Sequence, residues 1–320
     1  MTRTYRKPAF SSPQCPQGRL ACVLAVAALT WNVCIGTAQA QTQAQNHGSG
    51  LTGDVSYTLG NGSNGYASHS LAANIEHAAL PLSLGLDATQ STLNGVETSM
   101  QANMTLGWSP SPVWSFAAHL STMNDDLVKV NGRGLSVGAN LHKFWQGRRT
   151  THLELERDLN DYSAPNASAA LNDRIPNQGR TRLDIRQGVN DALDVYWGLE
   201  LYDYSSDPVD MARALLLRKV RRVTMAGKLG DLLDRSQTVG VSWSMTDAWN
   251  MDVSFSPSRT VIGQNQQQKT IALSYMFLPK ASVSFAYSDS SSDALTGPNG
   301  AKLAAAQTDS TLELGLRWSF

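Results

Sequence analysis

The last nine residues, Leu312 to Phe320, read Leu-Glu-Leu-Gly-Leu-Arg-Trp-Ser-Phe, a strict alternation that ends on an aromatic. At a period of two, Leu312, Leu314, Leu316, Trp318 and Phe320 share one face of a strand, and Glu313, Gly315, Arg317 and Ser319 share the other. A helix would scatter these apolar side chains around its axis, because its faces repeat every 3.6 residues. An apolar strand face must be covered by another sheet or by lipid. That requirement recurs along the chain from about residue 51.

Val55, Tyr57 and Leu59 form one such face, then Leu71, Ala73 and Ile75, then Leu80 to Ala88 at every second position. Val96 to Trp108 is the cleanest case, with Met100, Ala102, Met104, Leu106 and Trp108 opposed to Glu97, Ser99, Gln101, Asn103 and Thr105. Further faces follow at 114–120, 135–141, 153–159, 183–189, 193–201, 239–245, 249–255, 271–277 and 283–287, which with the terminal strand makes 14. A soluble sandwich would have to bury all these faces against one another in a core two layers thick. A closed antiparallel barrel in a bilayer uses every apolar face and leaves no open edge. The expected fold is therefore an all-β transmembrane barrel.

The connections carry a second signal. Tight turns are expected at 109–112, 146–149, 190–192, 246–248 and 279–280, alternating with longer polar connections at 122–133, 161–180, 204–236, 257–268 and 289–310. Outer-membrane barrels place short turns on the periplasmic side and long loops outside, so both termini are expected in the periplasm. Trp108, Trp114, Phe144, Trp145 and Trp249 lie beside the turns, as an interfacial aromatic belt would. The stretch 204–236 is ambiguous. Val209, Ala212, Leu216, Val220 and Val223 fit the apolar stripe of a helix over 208–224, with Arg213, Arg218, Arg221 and Arg222 around it. The alternative is a further hairpin, which would raise the count to 16.

Residues 1–40 read as a signal peptide. Arg3, Arg6, Lys7 and Arg19 precede the apolar stretch 20–29, and Thr37-Ala38-Gln39-Ala40 offers small residues for cleavage. About ten apolar residues are too few for a membrane-spanning helix, which needs roughly 20. All three cysteines, Cys15, Cys22 and Cys34, lie in this leader, so the mature protein is expected to have neither disulfide nor thiolate chemistry. Cleavage removes four basic residues and no acidic ones from a chain that balances 26 against 26, leaving about minus four. Such a charge offers nothing to nucleic acid. Residues 41–52 are expected to be a flexible lead-in and 53–320 the barrel.

If the apolar faces meet lipid, their neighbours line the lumen. These are His152, Glu154, Glu156 and Asp158 on the seventh strand, Arg182, Asp184 and Arg186 on the eighth, and Asp194 and Glu200 on the ninth. Hairpin neighbours bring carboxylates and guanidiniums within reach across the ladder, either as a solute filter or as a network that fills the wall. Arg157 breaks the outward row and is expected near the outer rim, reaching toward headgroups. Elsewhere the lining is small and polar: Ser242, Ser244, Asn250, Asp252, Ser254, Ser282 and Ser284. Arg218, Arg221 and Arg222 are candidates for a constriction, meeting the inward carboxylates from a loop folded over or into the bore.

Neither a catalytic constellation nor a metal or cofactor site stands out. The mature histidines, His47, His69, His77, His119, His142 and His152, sit beside no distinctive serine motif. No spacing suits zinc or calcium, and no glycine-rich phosphate loop links a strand to a helix. No catalytic activity and no cofactor are expected, and lipid hydrolysis is the enzymatic alternative.

The leader, the 14 alternating strands and the terminal aromatic Phe320 together resemble Gram-negative outer-membrane β-barrels of the porin-like or substrate-channel type. The resemblance is architectural, spans the mature chain and singles out no one family. It implies residence in the outer membrane among lipid and lipopolysaccharide. Trp318 and Phe320 look like the terminal signal read by the barrel-assembly machinery. A passive channel for small hydrophilic solutes or ions is implied by analogy, with export of a polymer such as exopolysaccharide as the alternative.

Overall fold

The computed structural model describes residues 50–320, apart from 64, 78, 96, 125–128, 142–149, 164–171, 173–174, 209–231 and 297–301. The signal segment and Arg218, Arg221 and Arg222 thus lie outside the described residues, as do Phe144 and Trp145.

The chain forms β1 (Leu51–Gly62), β2 (Tyr66–His77), β3 (Leu82–Leu93), β4 (Glu97–Trp108), β5 (Trp114–Asn124), β6 (Lys129–Leu141) and β7 (Thr151–Ser163). It continues with β8 (Gln178–Gly188), β9 (Leu193–Tyr204), β10 (Leu233–Ser244), β11 (Trp249–Thr260), β12 (Asn265–Leu278) and β13 (Ala281–Ser292). The last are β14 (Leu295–Thr296), β15 (Lys302–Ala304) and β16 (Gln307–Ser319). Each of β1 to β13 pairs antiparallel with its sequence neighbour, and β16 pairs with both β13 and β1, which closes a barrel of 14 strands. The short β14 and β15 form a separate hairpin in the connection between β13 and β16.

Closure runs from Asp54 opposite Ser319 to Gly62 opposite Thr311, and Phe320 donates its backbone N–H to the Gly53 carbonyl at 2.9 Å. No edge is left along the seam, so backbone groups at barrel depth are paired without water. The 16-strand alternative is excluded, because β9 pairs directly with β10 from Leu193–Trp243 to Leu201–Arg235. A hairpin from the intervening segment has no place in the wall.

Directly paired residues point to the same side, so register fixes the two faces. The outer face carries rows such as Val55–Trp318, Tyr57–Leu316, Trp114–Ala139 and Val253–Ile271. These side chains are exposed, Leu135 at 69% and Leu316 at 56% among them, as a lipid-facing band requires. Trp108 stacks with Phe116 and Trp249 with Tyr275 near the end that carries the chain termini, forming part of an aromatic girdle.

The ladders run further than the apolar pattern does. β5 reaches Asn124, β6 starts at Lys129, β11 reaches Thr260 and β12 starts at Asn265, so the connections expected at 122–133 and 257–268 shrink to four residues each. Beyond the apolar band both strand faces are polar, and the period-two signal vanishes while the backbone pairing continues. On the inner face, side-chain hydroxyls join these ladders, with Ser91 to Ser99 at 2.8 Å, Thr238 to Ser256 at 3.0 Å and Thr270 to Ser288 at 3.0 Å. Tight turns also occur at the end away from the termini. One joins Leu93 to its partner Glu97 in three residues and contains Asn94 and Gly95, both left-handed with φ of 52° and 67°, a conformation that Asn and Gly adopt more readily than other residues. The longer connections at that end are 164–177, 205–232 and 293–306.

Candidate functional site: the lumen wall

The inner face is chemically divided. On β10 to β13 it carries Ser236, Thr238, Ser242, Asn250, Ser254, Ser258, Gln266, Gln268, Thr270, Ser274, Ser282, Ser284 and Ser288, with Asp252 as the charged exception. On β7 to β9 it carries the charges. The structure places His152, Glu154, Glu156 and Asp158 on this face of β7, Arg182, Asp184 and Arg186 on β8, and Asp194 and Glu200 on β9.

Arg180 is the hub of the charged sector. It lies between Asp158 and Tyr202 in the ladder. Its Nε donates to Asp158 at 2.8 Å, its Nη2 to both Glu156 and Asp158, and its Nη1 to Glu200 at 3.5 Å. One guanidinium thus gathers three carboxylates from the two flanking strands. The planar fork of arginine is suited to this, because its donors point in several fixed directions at once. Beside it, the Arg182 Nε meets Asp184 at 2.5 Å and lies 3.9 Å from Glu200, whose other oxygen accepts from the Tyr202 hydroxyl at 2.6 Å. Further toward the termini, Arg186 pairs with Asp194 at 3.2 Å and lies over the Tyr196 ring at 5.8 Å. His152 lies between the Asn140 side-chain oxygen at 2.8 Å and Glu154 at 3.7 Å.

Five carboxylates (Glu156, Asp158, Asp184, Asp194 and Glu200) therefore share three guanidiniums, and a sixth, Glu154, contacts only His152 among the described residues. Each arginine is matched, and negative charge is left over. Other inward positions add to it. Asp87 accepts from Asn103 at 2.7 Å and Asp252 accepts from the Tyr196 hydroxyl at 2.8 Å, whereas Asp54 is balanced by Arg317 across the closing seam at 2.8 Å.

Two glycines make this arrangement possible. Tyr196 on β9 reaches Asp252 on β11 by crossing Gly240 on β10, where any Cβ would run into its ring. On the outer face, Arg157 of β7 and Asp203 of β9 form a two-point ion pair at 2.6 and 2.9 Å across β8, over Gly179. Arg157 also donates to Thr181 at 2.8 Å, so its charge is engaged by the protein itself.

Arg180 was missed by the sequence reading, which assigned 161–180 to a loop. The outward neighbours there, Gly179 and Thr181, give no apolar beat. The available signal was phase, since Arg180, Arg182, Asp184 and Arg186 keep one period of two. Above the hub, a polar relay was likewise hidden. Asn160 and Tyr162 donate to the Gln178 side-chain oxygen at 3.1 and 3.2 Å, and Gln178 donates to the Tyr204 hydroxyl at 3.0 Å.

Open space adjoins both walls. A cavity of about 520 Å³ is lined by Asp87, Asn103, His119, Glu156, Asp158, Arg180 and Tyr202, and one of about 330 Å³ by Ser236, Ser258, Gln266, Gln268 and Ser290 across the bore. Eight-stranded barrels are filled by side chains or hold one small ligand and 16 to 18 strands leave an aqueous channel; 14 strands fall between, and these two cavities are open space beside the lining.

Among the described residues, His119 contacts the Ser136 hydroxyl at 3.4 Å and the Thr105 hydroxyl at 3.2 Å. No carboxylate orients this histidine, and the pair faces the lumen, away from the lipid that a lipid hydrolase would attack. Groups of three or more His, Asp or Glu spaced to hold a metal ion are absent among the described residues.

No protein-family model and no curated protein sequence matches the chain. Solved structures do. Pseudomonas putida OprB is similar at 7% identity and a TM-score of 0.47, over 88% of this chain and 96% of that one. The KdgM porin is similar at 9% identity and 0.41, over 83% and 99%. A Pseudomonas aeruginosa FadL homologue is similar at 9% and 0.44, over 84% and 89%. These likenesses are of architecture and assign no substrate. By its own closure, even strand number and apolar outer band, the chain is a β-barrel of the outer-membrane type with 14 strands.

Proposed function

We propose that this barrel is a passive channel for small hydrophilic solutes and ions, with a preference for cations and for solutes bearing positive charge. The observation that carries the proposal is the division of the lumen. One sector of the wall is short and hydroxyl-rich and leaves space for water, and the adjoining sector holds more carboxylates than guanidiniums. Negative charge lining a low-dielectric passage raises the local concentration of cations and lowers that of anions. The end bearing the termini faces the periplasm and the end bearing the connections 164–177, 205–232 and 293–306 faces outward, in the usual sense for such barrels.

Single-channel recording of the purified, folded protein in a planar lipid bilayer tests the open lumen. Discrete conductance steps are expected, with open current reduced when small polycations are added. A folded protein that inserts but passes no current contradicts the proposal and favours a closed, structural barrel.

A further inference from the structure

One sector of the outer wall differs from the rest. Just beyond the apolar band, the outward face of β10 to β12 carries Arg235, Arg259 and Lys269, all exposed. Arg235 and Arg259 are direct cross-strand partners, and like charges placed so oppose pairing unless an anion lies between them. Among the described residues, no carboxylate forms an ion pair with any of the three. Asp203 on neighbouring β9 is already held at two points by Arg157, and Asp289 stands opposite Lys269 without pairing to it. Elsewhere along this rim Ser310, Asn61, His69, Gln90 and Thr122 face out, and outside the Arg157–Asp203 pair the outward face of β6 and β7 adds Arg133 and Asp161, one charge of each sign.

Directly toward the apolar band lies a groove of about 1040 Å³. Val195, Val239, Val241, Val253 and Ile271 form its floor, and Lys269 stands at its lip. These side chains are shorter than Trp243 on one side and Phe255 and Tyr287 on the other, so the wall is recessed between them. An apolar recess that opens beneath unpaired guanidinium and ammonium groups matches an acyl chain joined to a phosphorylated headgroup.

We propose that this face is a docking site for lipopolysaccharide. One phosphate is bridged by Arg235 and Arg259, whose forked donors suit its oxygens. A second is met by Lys269, two outward positions nearer the band, and an acyl chain lies in the valine recess. The two separate levels of positive charge favour a headgroup with phosphates on a sugar core over a single-phosphate phospholipid. The inference rests on the orientation proposed above, which sets this rim in the outer leaflet.

Native mass spectrometry of the full barrel in detergent, titrated with purified lipopolysaccharide, tests it. Arms with dephosphorylated lipopolysaccharide and with phosphatidylglycerol identify the headgroup. Binding by the wild type is expected, weakened at least about tenfold on removing the phosphates and by the triple variant R235Q/R259Q/K269Q, a loss of about 1.4 kcal/mol or more. Val241→Trp, which fills the recess and leaves the charges in place, is expected to weaken binding too. If the triple variant does not fold, R259Q alone and V241W carry the test. Unchanged affinity in folded variants, or phosphatidylglycerol bound as tightly and through the same three residues, overturns the site. Because these residues face away from the lumen, the triple variant is expected to keep wild-type conductance. Lost lipid binding with intact current, or the reverse, therefore separates this inference from the channel reading.

Discussion

At the scale of single residues, the lumen is organised by groups that reach across a strand. Arg180 holds Glu156, Asp158 and Glu200, and its removal leaves three carboxylates facing one another with only Arg182 nearby. Breaking such a set costs about 3 kcal/mol, at the low end of the range because lumen water reaches the site. Arg180→Gln is therefore expected to unfold at a clearly lower temperature than wild type, measured as the loss of the compact barrel's fast migration on unheated gels. Tyr196 is the second such group. Tyr196→Phe forfeits one hydrogen bond to Asp252 and is expected to cost about 1 kcal/mol. Gly240→Ala puts a methyl into the Tyr196 ring and is expected to cost more, about 2 kcal/mol. In a double-mutant cycle, G240A combined with Tyr196→Ala is expected to cost less than the sum, since the ring that clashes is gone. Strict additivity would show that Gly240 serves another purpose. The carboxylates and arginines first recognised on β7 to β9 were legible because each stands at an alternate position beside a leucine, isoleucine or valine. Arg180 was not, since Gly179 and Thr181 flank it, and neither Gly179 nor Gly240 announces in sequence the side chain that must pass over it.

At the scale of elements, every barrel strand was legible where it crosses the apolar band and less so beyond it. The beat of Trp249, Met251, Val253 and Phe255 marks β11, but Pro257 and Arg259 continue the same outward row without it. Hydrophobic alternation reports contact with lipid, and hydrogen-bonded pairing does not depend on it. The strand count at 204–236 could not be decided from pattern, because a basic run interrupts both the helical and the alternating reading. Pairing of β9 with β10 decides it. The role of the intervening segment is still a proposal. If Arg218, Arg221 and Arg222 stand over the bore and face its carboxylates, substituting all three with glutamine is expected to raise single-channel conductance and strengthen cation preference. Unchanged current and selectivity in the folded variant would place those residues away from the permeation path. The closing strand carries a second proposal. Trp318 lies near the end of β16 and Phe320 directly follows it at the seam, and Phe320→Ala is expected to lower the yield of barrel recovered from outer membranes relative to total synthesis. Refolding of the same variant in detergent is expected to change much less, which separates an assembly signal from a stability effect.

At the scale of the whole molecule, closure creates the conditions for function. A shell of 14 strands turns its apolar rows to lipid and its polar rows to a shared interior, so a single alternation writes both an anchor and a lining. The lining is lopsided, with hydroxyls on β10 to β13 and excess carboxylate on β7 to β9, and the electrical consequence has a definite sign. The most direct test is the reversal potential of the reconstituted protein in a potassium chloride gradient. The expected potential is that of a channel passing potassium more readily than chloride, and it is expected to diminish when Glu154 and Asp194, the more accessible of the acids on β7 to β9, are replaced together by their amides. A reversal potential of the opposite sign, or one that the double substitution leaves unmoved, would contradict the account.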